Sequence, residues 1–469
     1  MKIVILNGSP KGDLSVTMQY ILYIQKKFPQ HEFEILNVAQ QIEQLENNQE
    51  KFQAIVNEIK SSDGIIWGFP LYFMLVSSQY KRFIELISER NVEEAFKNKY
   101  AAILTTSIHF YDHTAINYMN AICDDFEMKF VDFFSADIYD LIDTDKRAQL
   151  INFADNFLNT IKKKIPTSRN FSPVKVLDFN YTPSIVENEE DKVDSESKKV
   201  IVVTDSMDES TNLGKMIRKL QNLFSSGLEI INLYDINIKG GCLGCIQCGY
   251  DNQCVYKGKD GLIEFWNTKL KPADIIIIAG NIKDRYLSSR WKMTIDRSFF
   301  NNHIPILLRK QIGFIISGPI NQIPNLREIL YAYVEIQGSN IVGIISDESK
   351  DSNEIDLSLQ TFAKKLIKFS KSNYIKPPTF RAIGGKKILR DAVYGRMRFV
   401  FHADHKYYEE HGFYDFPHND KAAKKMNDML IPLINDNEKF RKSFYASLTQ
   451  GMIKPLKSIV AKANKNLND

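Results

Sequence analysis

Cys242, Cys245, Cys248 and Cys254 fall within thirteen residues, spaced C-x2-C-x2-C-x5-C, and the chain holds one other cysteine, Cys123. Thiolates wound this closely along one loop suit a cubane iron–sulfur cluster, whereas a zinc site usually draws two ligands from a loop and two from a distant segment. Gly241, Gly244 and Gly249 give the loop the freedom to turn its sulfurs inward. A metal-free redox thiol loop and a zinc site stay open on spacing alone. All three readings assume a reducing cytoplasm, because in a secreted chain the same cysteines would suggest disulfides.

A second set of residues can hold an anion and a flat ring. Gly8, Ser9 and Pro10, followed by Ser15, Val16 and Thr17, join an apolar strand at residues 2–6 to a helix ending near residue 28. A strand, a loop of glycines and hydroxyls and then a helix aim free backbone N–H groups and the positive helix end at a phosphate. The loop lacks both the Lys-Ser/Thr ending of a nucleoside triphosphate loop and the G-x-G-x-x-G of a dinucleotide fold. Pro70, Leu71, Tyr72 and Phe73 follow a third strand; Thr106, Ser107 and His109 follow a fourth. Each has a plain structural alternative: helix capping for the hydroxyls, core packing for Tyr72, and surface exposure for His109 and His113. Cys123 lies in an apolar helical run and is expected to be buried and inert.

These loops need a scaffold, and apolar patterning supplies it. Strands are expected at 2–6, 32–37, 64–68, 100–106 and 129–138, alternating with helices. That alternation implies a parallel sheet covered on both faces, with ligands beyond the carboxyl ends of its strands. An acidic stretch at 187–196 reads as a solvated linker. The order then restarts, with strands at 200–204, 228–233, 274–280, 311–316 and 341–346, which reads as a long-period duplication. The cysteine loop follows the second of these. Four segments result: domain 1–165, acidic linker 166–198, domain 199–372 and helical C-terminal extension 373–469.

Composition sets the remaining bounds. A net charge of +4 over 469 residues makes no case for nucleic acid. No apolar stretch reaches the roughly 18 residues of a membrane span and no signal peptide is visible, so a cytoplasmic location is expected. From Lys376 onward there are 18 Lys/Arg against 10 Asp/Glu. His402, His405, His411 and His418, interleaved with Asp404 and Glu409, lack the second fixed-spacing pair that a metal site needs. The aromatic residues among them are expected to pack the tail on the domains, to cover a ligand mouth or to form a dimer seam.

Gly8-Ser9-Pro10 with Ser15 and Thr17, then Pro70-x-Tyr72-x4-Ser77 and Lys81, resemble the flavodoxin-like NAD(P)H-dependent FMN reductases. The cysteine loop is similar to that of the iron–sulfur flavoproteins of the same superfamily. The resemblance implies an α/β fold of two tandem flavodoxin-like doubly wound sheets, order 2-1-3-4-5, plus the helical extension. It also implies a flavin-dependent oxidoreductase. FMN would be held by Gly8, Ser9, Pro10, Ser15, Val16, Thr17, Pro70, Leu71, Tyr72, Phe73, Thr106, Ser107 and His109, and a [4Fe-4S] cluster by Cys242, Cys245, Cys248 and Cys254. NAD(P)H or a reduced ferredoxin would be the donor, and a small molecule or a redox protein the acceptor. No side chain is required as acid or base for the core chemistry. An electron-transfer protein or a redox sensor without small-molecule turnover is the alternative. Family members form dimers, which leaves a homodimer open. The chain departs from the pattern in two places: residues 37–48 lack cysteines, and Thr204-Asp205-Ser206 puts a carboxylate where a phosphate would approach. One flavin in the first domain and four irons in the second are therefore expected, the pair of domains copying a dimer within one chain.

Overall fold

Runs of Ile, Val, Leu and Ala become strands buried on both faces. In the computed structural model, which describes residues 1–176, 178–186, 192–195, 197–206, 208–416 and 419–462, β1 (Lys2–Asn7), β2 (Glu32–Leu36), β3 (Gly64–Pro70), β4 (Tyr100–Ser107) and β5 (Lys129–Asp137) form a parallel sheet in the order β2-β1-β3-β4-β5. A second parallel sheet contains β6 (Val200–Thr204), β7 (Leu228–Asn232), β8 (Ile275–Asn281), β9 (Gln311–Ser317) and β10 (Asn340–Ser346), ordered β10-β9-β8-β6-β7. Read from its β7 end, the second sheet has the topology of the first. Each is a flavodoxin-like doubly wound sheet.

Helices cover the sheets: α1 (Val16–Lys27), α2 (Ile42–Asn47), α3 (Gln49–Ser61), α4 (Ser78–Glu89), α5 (Asp112–Asp125) and α6 (Thr144–Lys163) around the first, and α7 (Asn212–Leu223), α8 (Leu262–Phe265), α9 (Ser289–Arg297), α10 (Pro324–Ile336) and α11 (Ser352–Lys371) around the second. Local chemistry sets several of their starts. The side chains of Asn48, Ser77, Asp143, Thr211, Ser288 and Asp351 accept backbone N–H bonds from the first turns of the helices they precede, and Pro324 opens α10. The extension is helical: α12 (Phe380–Tyr394), α13 (His402–Glu410), α14 (Lys421–Asp436) and α15 (Glu438–Lys462). Contacts divide the chain into residues 1–407 and 408–469. In the second unit α14 packs on α15, and Tyr408 stacks on Phe413. Among the described residues no helix is long and apolar enough to cross a membrane.

The two sheets meet through α4 and α9, and the contacts are reciprocal. The first backbone N–H of α4, on Ser78, donates to Asp296 Oδ2 at 2.8 Å; the first of α9, on Ser289, donates to Glu85 Oε1 at 2.6 Å. Each helix thus supplies a carboxylate to the positive end of the other. Lys81 Nζ donates to Glu85 at 3.1 Å and to the Lys283 carbonyl at 3.2 Å; Lys292 Nζ donates to Asp296 and to the Tyr72 carbonyl, the latter at 3.1 Å. Burial works against the Lys81 charge, but Glu85 and Asp284 outweigh it and hold its pKa above the ordinary lysine value. Burial dominates in the other pair, pushing Asp296 up and Lys292 down.

Part of the stretch read as a solvated linker, residues 187–191 and 196, lies outside the described residues, as does His418. What flanks it is packed: Tyr181 is fully buried with its hydroxyl on Asp356, and Val193 pairs with Phe224. Apolar residues between the polar ones anchor the crossing to the second sheet's helices.

Glu85→Ala would leave the Lys81 ammonium buried with Asp284 as its remaining carboxylate. It is expected to destabilise the fold by about 3–5 kcal/mol, measured by urea denaturation, and by more than Glu89→Ala at the half-exposed end of the same helix.

Candidate functional site

Parallel register brings the loops after β1, β3 and β4 to one edge, since Asn7 lies beside Gly68 and Pro70 beside Thr106. At that edge is a cavity of about 340 Å³, within the range of small-ligand sites. Its walls come from four parts of the chain: the first sheet's loops, the cysteine loop after β7, the end of α9 with the residues after it (Asp296, Phe299 and His303), and Leu389 and Phe401 of the extension.

Polar groups gather at one end. Ser9, Lys11, Ser15 and Val16 line it at the N-terminus of α1. The Ser9 backbone N–H donates to Asn7 Oδ1 at 3.0 Å, and the Lys11 N–H donates to Ser9 Oγ at 3.2 Å, which folds the turn. Ser15 is the residue before α1, yet its side chain makes no capping bond. Its hydroxyl, the Lys11 ammonium and the first N–H groups of α1 therefore remain for an anion. Gly8 is required behind them, because a Cβ there would lie 2.5 Å from the Tyr80 ring.

The rest of the cavity is mostly apolar. Pro70, Leu71, Tyr72 and Phe73 form one side, and Thr106, Ser107, Ile108 and Phe110 another. Four sequence-derived candidates do not line it: Gly8, Pro10, Thr17 and His109. Thr17 is fully buried and its hydroxyl bonds Thr106 Oγ1 at 2.7 Å. His109 turns to Asp112, Nδ1 to Oδ2 at 2.8 Å. Met74, His109, Tyr111 and Ile246 all have left-handed backbone with φ between 59° and 65°, strain that concentrates at functional loops.

Lining residues outside the candidate set include Lys11, Tyr139, Asp296, Phe299, His303 and Leu389, while Phe401 belongs to the aromatic tail for which covering a ligand mouth is one expectation. Lys11 was legible as the cation beside the phosphate turn. Nothing in the local sequence of Asp296, Phe299, His303 and Leu389 points at a loop more than 180 residues away.

The cysteine loop lies against the β3 loop and contributes Cys242, Gly244 and Ile246 to the cavity lining. Gly244 has φ +62°, and a Cβ there would overlap the Tyr72 hydroxyl. The glycines thus serve the approach of the loop to the first domain as well as its turning. Burial pushes the Cys242 thiol up to about 12, with Asp296, Cys248 and Cys254 adding to it. Burial also pushes Cys248 up to about 12, helped by Cys254 and Cys245. The four sulfurs are neighbours, but among the described residues no three His, Cys, Asp or Glu side chains stand close enough together to hold a metal ion. As placed, the thiols do not fit the expected cluster.

The matching edge of the second sheet also borders a cavity, of about 530 Å³, but carboxylates occupy its turns. Asp205, at the position of Gly8, accepts from Ser288 Oγ, and burial raises its pKa. Asp347 accepts from Ser317 Oγ at 2.7 Å, Gly318 N at 2.9 Å and Asn212 Nδ2 at 2.9 Å. Ser317 corresponds to Thr106, so the turn that borders the cavity in the first domain is bound to an internal anion in the second.

Residues 1–132 match the NADPH-dependent FMN reductase family. No curated protein matches the sequence. Among solved structures, the chain is similar to the flavoenzyme NAD(P)H:(acceptor) oxidoreductase FerB of Paracoccus denitrificans, at 18% identity over 34% of this chain and 97% of that one, TM-score 0.30. It is also similar to an FMN-dependent NADH-azoreductase of Bacillus anthracis, at 13% identity over 35% and 98%, TM-score 0.25. A third is general stress protein 14 of Treponema denticola in complex with FMN, at 12% identity over 34% and 98%, TM-score 0.26.

Gly244→Ala is expected to push the cysteine loop off Tyr72 and expose the cavity, read as faster proteolysis within residues 240–254. A second outcome concerns pH. The Asp112 hydrogen bond raises the His109 pKa; Asp112 itself, though partly buried, is held at about 2 by His109 and Ser135. The pair's contribution is complete below the unfolded histidine value of about 6.5 and fades as pH rises through the raised His109 pKa. Asp112→Asn should therefore cost more stability near about pH 5.5 than near about pH 9, measured by urea denaturation at each.

Proposed function

We propose that this chain is an FMN-dependent NAD(P)H oxidoreductase with its flavin in the first domain. The observation that carries the reading is the cavity at the carboxyl edge of the first sheet, with hydroxyls and a lysine at the N-terminus of α1 and a mostly apolar lining elsewhere. The family match over residues 1–132 supports the same activity. Ser9, Lys11, Ser15 and the α1 N-terminus would hold the phosphate. Pro70 to Phe73, with Thr106 and Ser107, would flank the ring, while Gly8, behind the turn, makes room for Tyr80. FMN bound there supplies hydride acceptance from NAD(P)H and onward delivery of electrons. The protein contributes position and exclusion of water.

The second domain is read as a partner to that site. Asp205 and Asp347 disfavour a second phosphorylated ligand at its own edge. The reciprocal α4–α9 contacts are those of a two-fold dimer interface, which supports a duplicated unit folded on itself. Cys242 on the cavity wall puts the cysteine loop next to the ring site. A four-iron relay is the finer form of this reading, and it requires the four thiols to close further than they do here.

Anaerobically purified protein, with flavin and iron quantified, tests both levels. One flavin per chain is expected, and two would overturn the single-site reading. Four irons per chain would establish the relay, and none would leave a thiol loop. Lys11→Ala is expected to weaken flavin binding about ten- to hundredfold, the worth of a charge-assisted hydrogen bond. Turnover of NADH or NADPH with quinone or ferric acceptors distinguishes an enzyme from a carrier.

A further inference from the structure

His303 is the one imidazole among the described residues lining the cavity, and it is held unusually firmly. Its Nδ1 lies 2.6 Å from Asp404 Oδ2, and its backbone N–H donates to Asp404 Oδ1 at 3.0 Å. One fully buried carboxylate therefore fixes both the ring and the chain that carries it. Phe401 and Phe299 meet the ring edge-on at 4.9 Å and 5.3 Å, which blocks rotation. With Nδ1 committed to Asp404, Nε2 is the ring nitrogen left for a molecule in the cavity.

We propose that His303 is the proton donor to a planar carbonyl acceptor of the quinone class reduced in this cavity, with Asp404 as its positioning residue. The proposal rests on the flavin reading for its electrons. Reduction of such an acceptor takes a hydride equivalent, two electrons and one proton, derived from NAD(P)H, and leaves negative charge on a carbonyl oxygen. The Nε2–H bond of the imidazolium breaks, the proton goes to that oxygen to form the hydroxyl, and the neutral imidazole regains a proton from solvent. Asp404 orients the ring and holds the tautomer with hydrogen on Nδ1. Other titratable groups that His303 shares the site with are Lys11, Tyr72, Tyr139, Asp296 and Cys242 on the cavity wall, and Cys248, whose thiol feels the Asp404 charge.

The geometry also assigns a task to the extension. Asp404 reaches back from α13 to a residue 101 positions earlier, between two histidines that drew attention as metal ligands. His402 instead stacks on Tyr250 of the cysteine loop.

The test compares two acceptors on the full chain. Reduction of a quinone consumes a proton on the acceptor, whereas reduction of ferricyanide does not. His303→Gln is expected to lower the ratio of quinone to ferricyanide rates at least about tenfold, and Asp404→Asn to lower it and shift its pH profile. Equal loss of both rates, or an unchanged ratio, overturns the proposal. Histidine ¹⁵N spectra give a readout independent of turnover: the His303 Nδ1–H tautomer is expected in the wild type and its loss in Asp404→Asn, and a wild-type ring protonated on Nε2 alone overturns the positioning role. Absence of NAD(P)H-driven flavin bleaching in the wild type would instead remove the flavin reading beneath it.

Discussion

Two helix N-termini, each capped by a carboxylate from the other helix, set the relation between the two halves of this protein. Glu85 serves Ser289 and Asp296 serves Ser78, all at buried positions. A carboxylate is expensive to bury unless it gains several donors, and here each gains a backbone N–H and a lysine. The arrangement tolerates little sliding, because a shift along either helix would strip donors from both acids. It therefore fixes where the cysteine loop lies against the first sheet.

The near-symmetry of that lock hides a difference in charge. Lys81 and Glu85 keep their charges, since Asp284 and Ser289 add to the pair. Burial instead drives Lys292 and Asp296 toward their neutral forms, and Asp296 is the one that lines the cavity. The two reciprocal contacts thus differ in electrostatics, and the one in which burial opposes the charges lies beside the site. The carboxyl edges of the two sheets differ as well. A serine and a lysine stand ready at the first, while Asp347 satisfies the turn of the second from within.

The extension up to residue 407 is part of this unit rather than an appendage. Phe401 and Leu389 close the cavity, and α12 packs on α10. A cavity assembled from four separate segments excludes water only when all four are in place, which couples the site to the integrity of the whole unit.

Much of this architecture was legible in the chain. The central strands β1, β3, β6 and β8, buried along most of their length, read as unbroken apolar runs; the looser patterns of the partly exposed β2, β5 and β7 still put all ten strands within about two residues of where they lie. The phosphate turn was legible because few residue types can line an anion at a helix start. Local pattern also overstated some residues: Thr17 spends its hydroxyl on Thr106, and His109 spends its ring on Asp112. What sequence could not contain was the meeting of Asp296, His303, Phe401 and Cys242 around one cavity. Proximity between residues a hundred or more positions apart is decided by how two sheets dock, and docking energy lies in surfaces that no local spacing encodes.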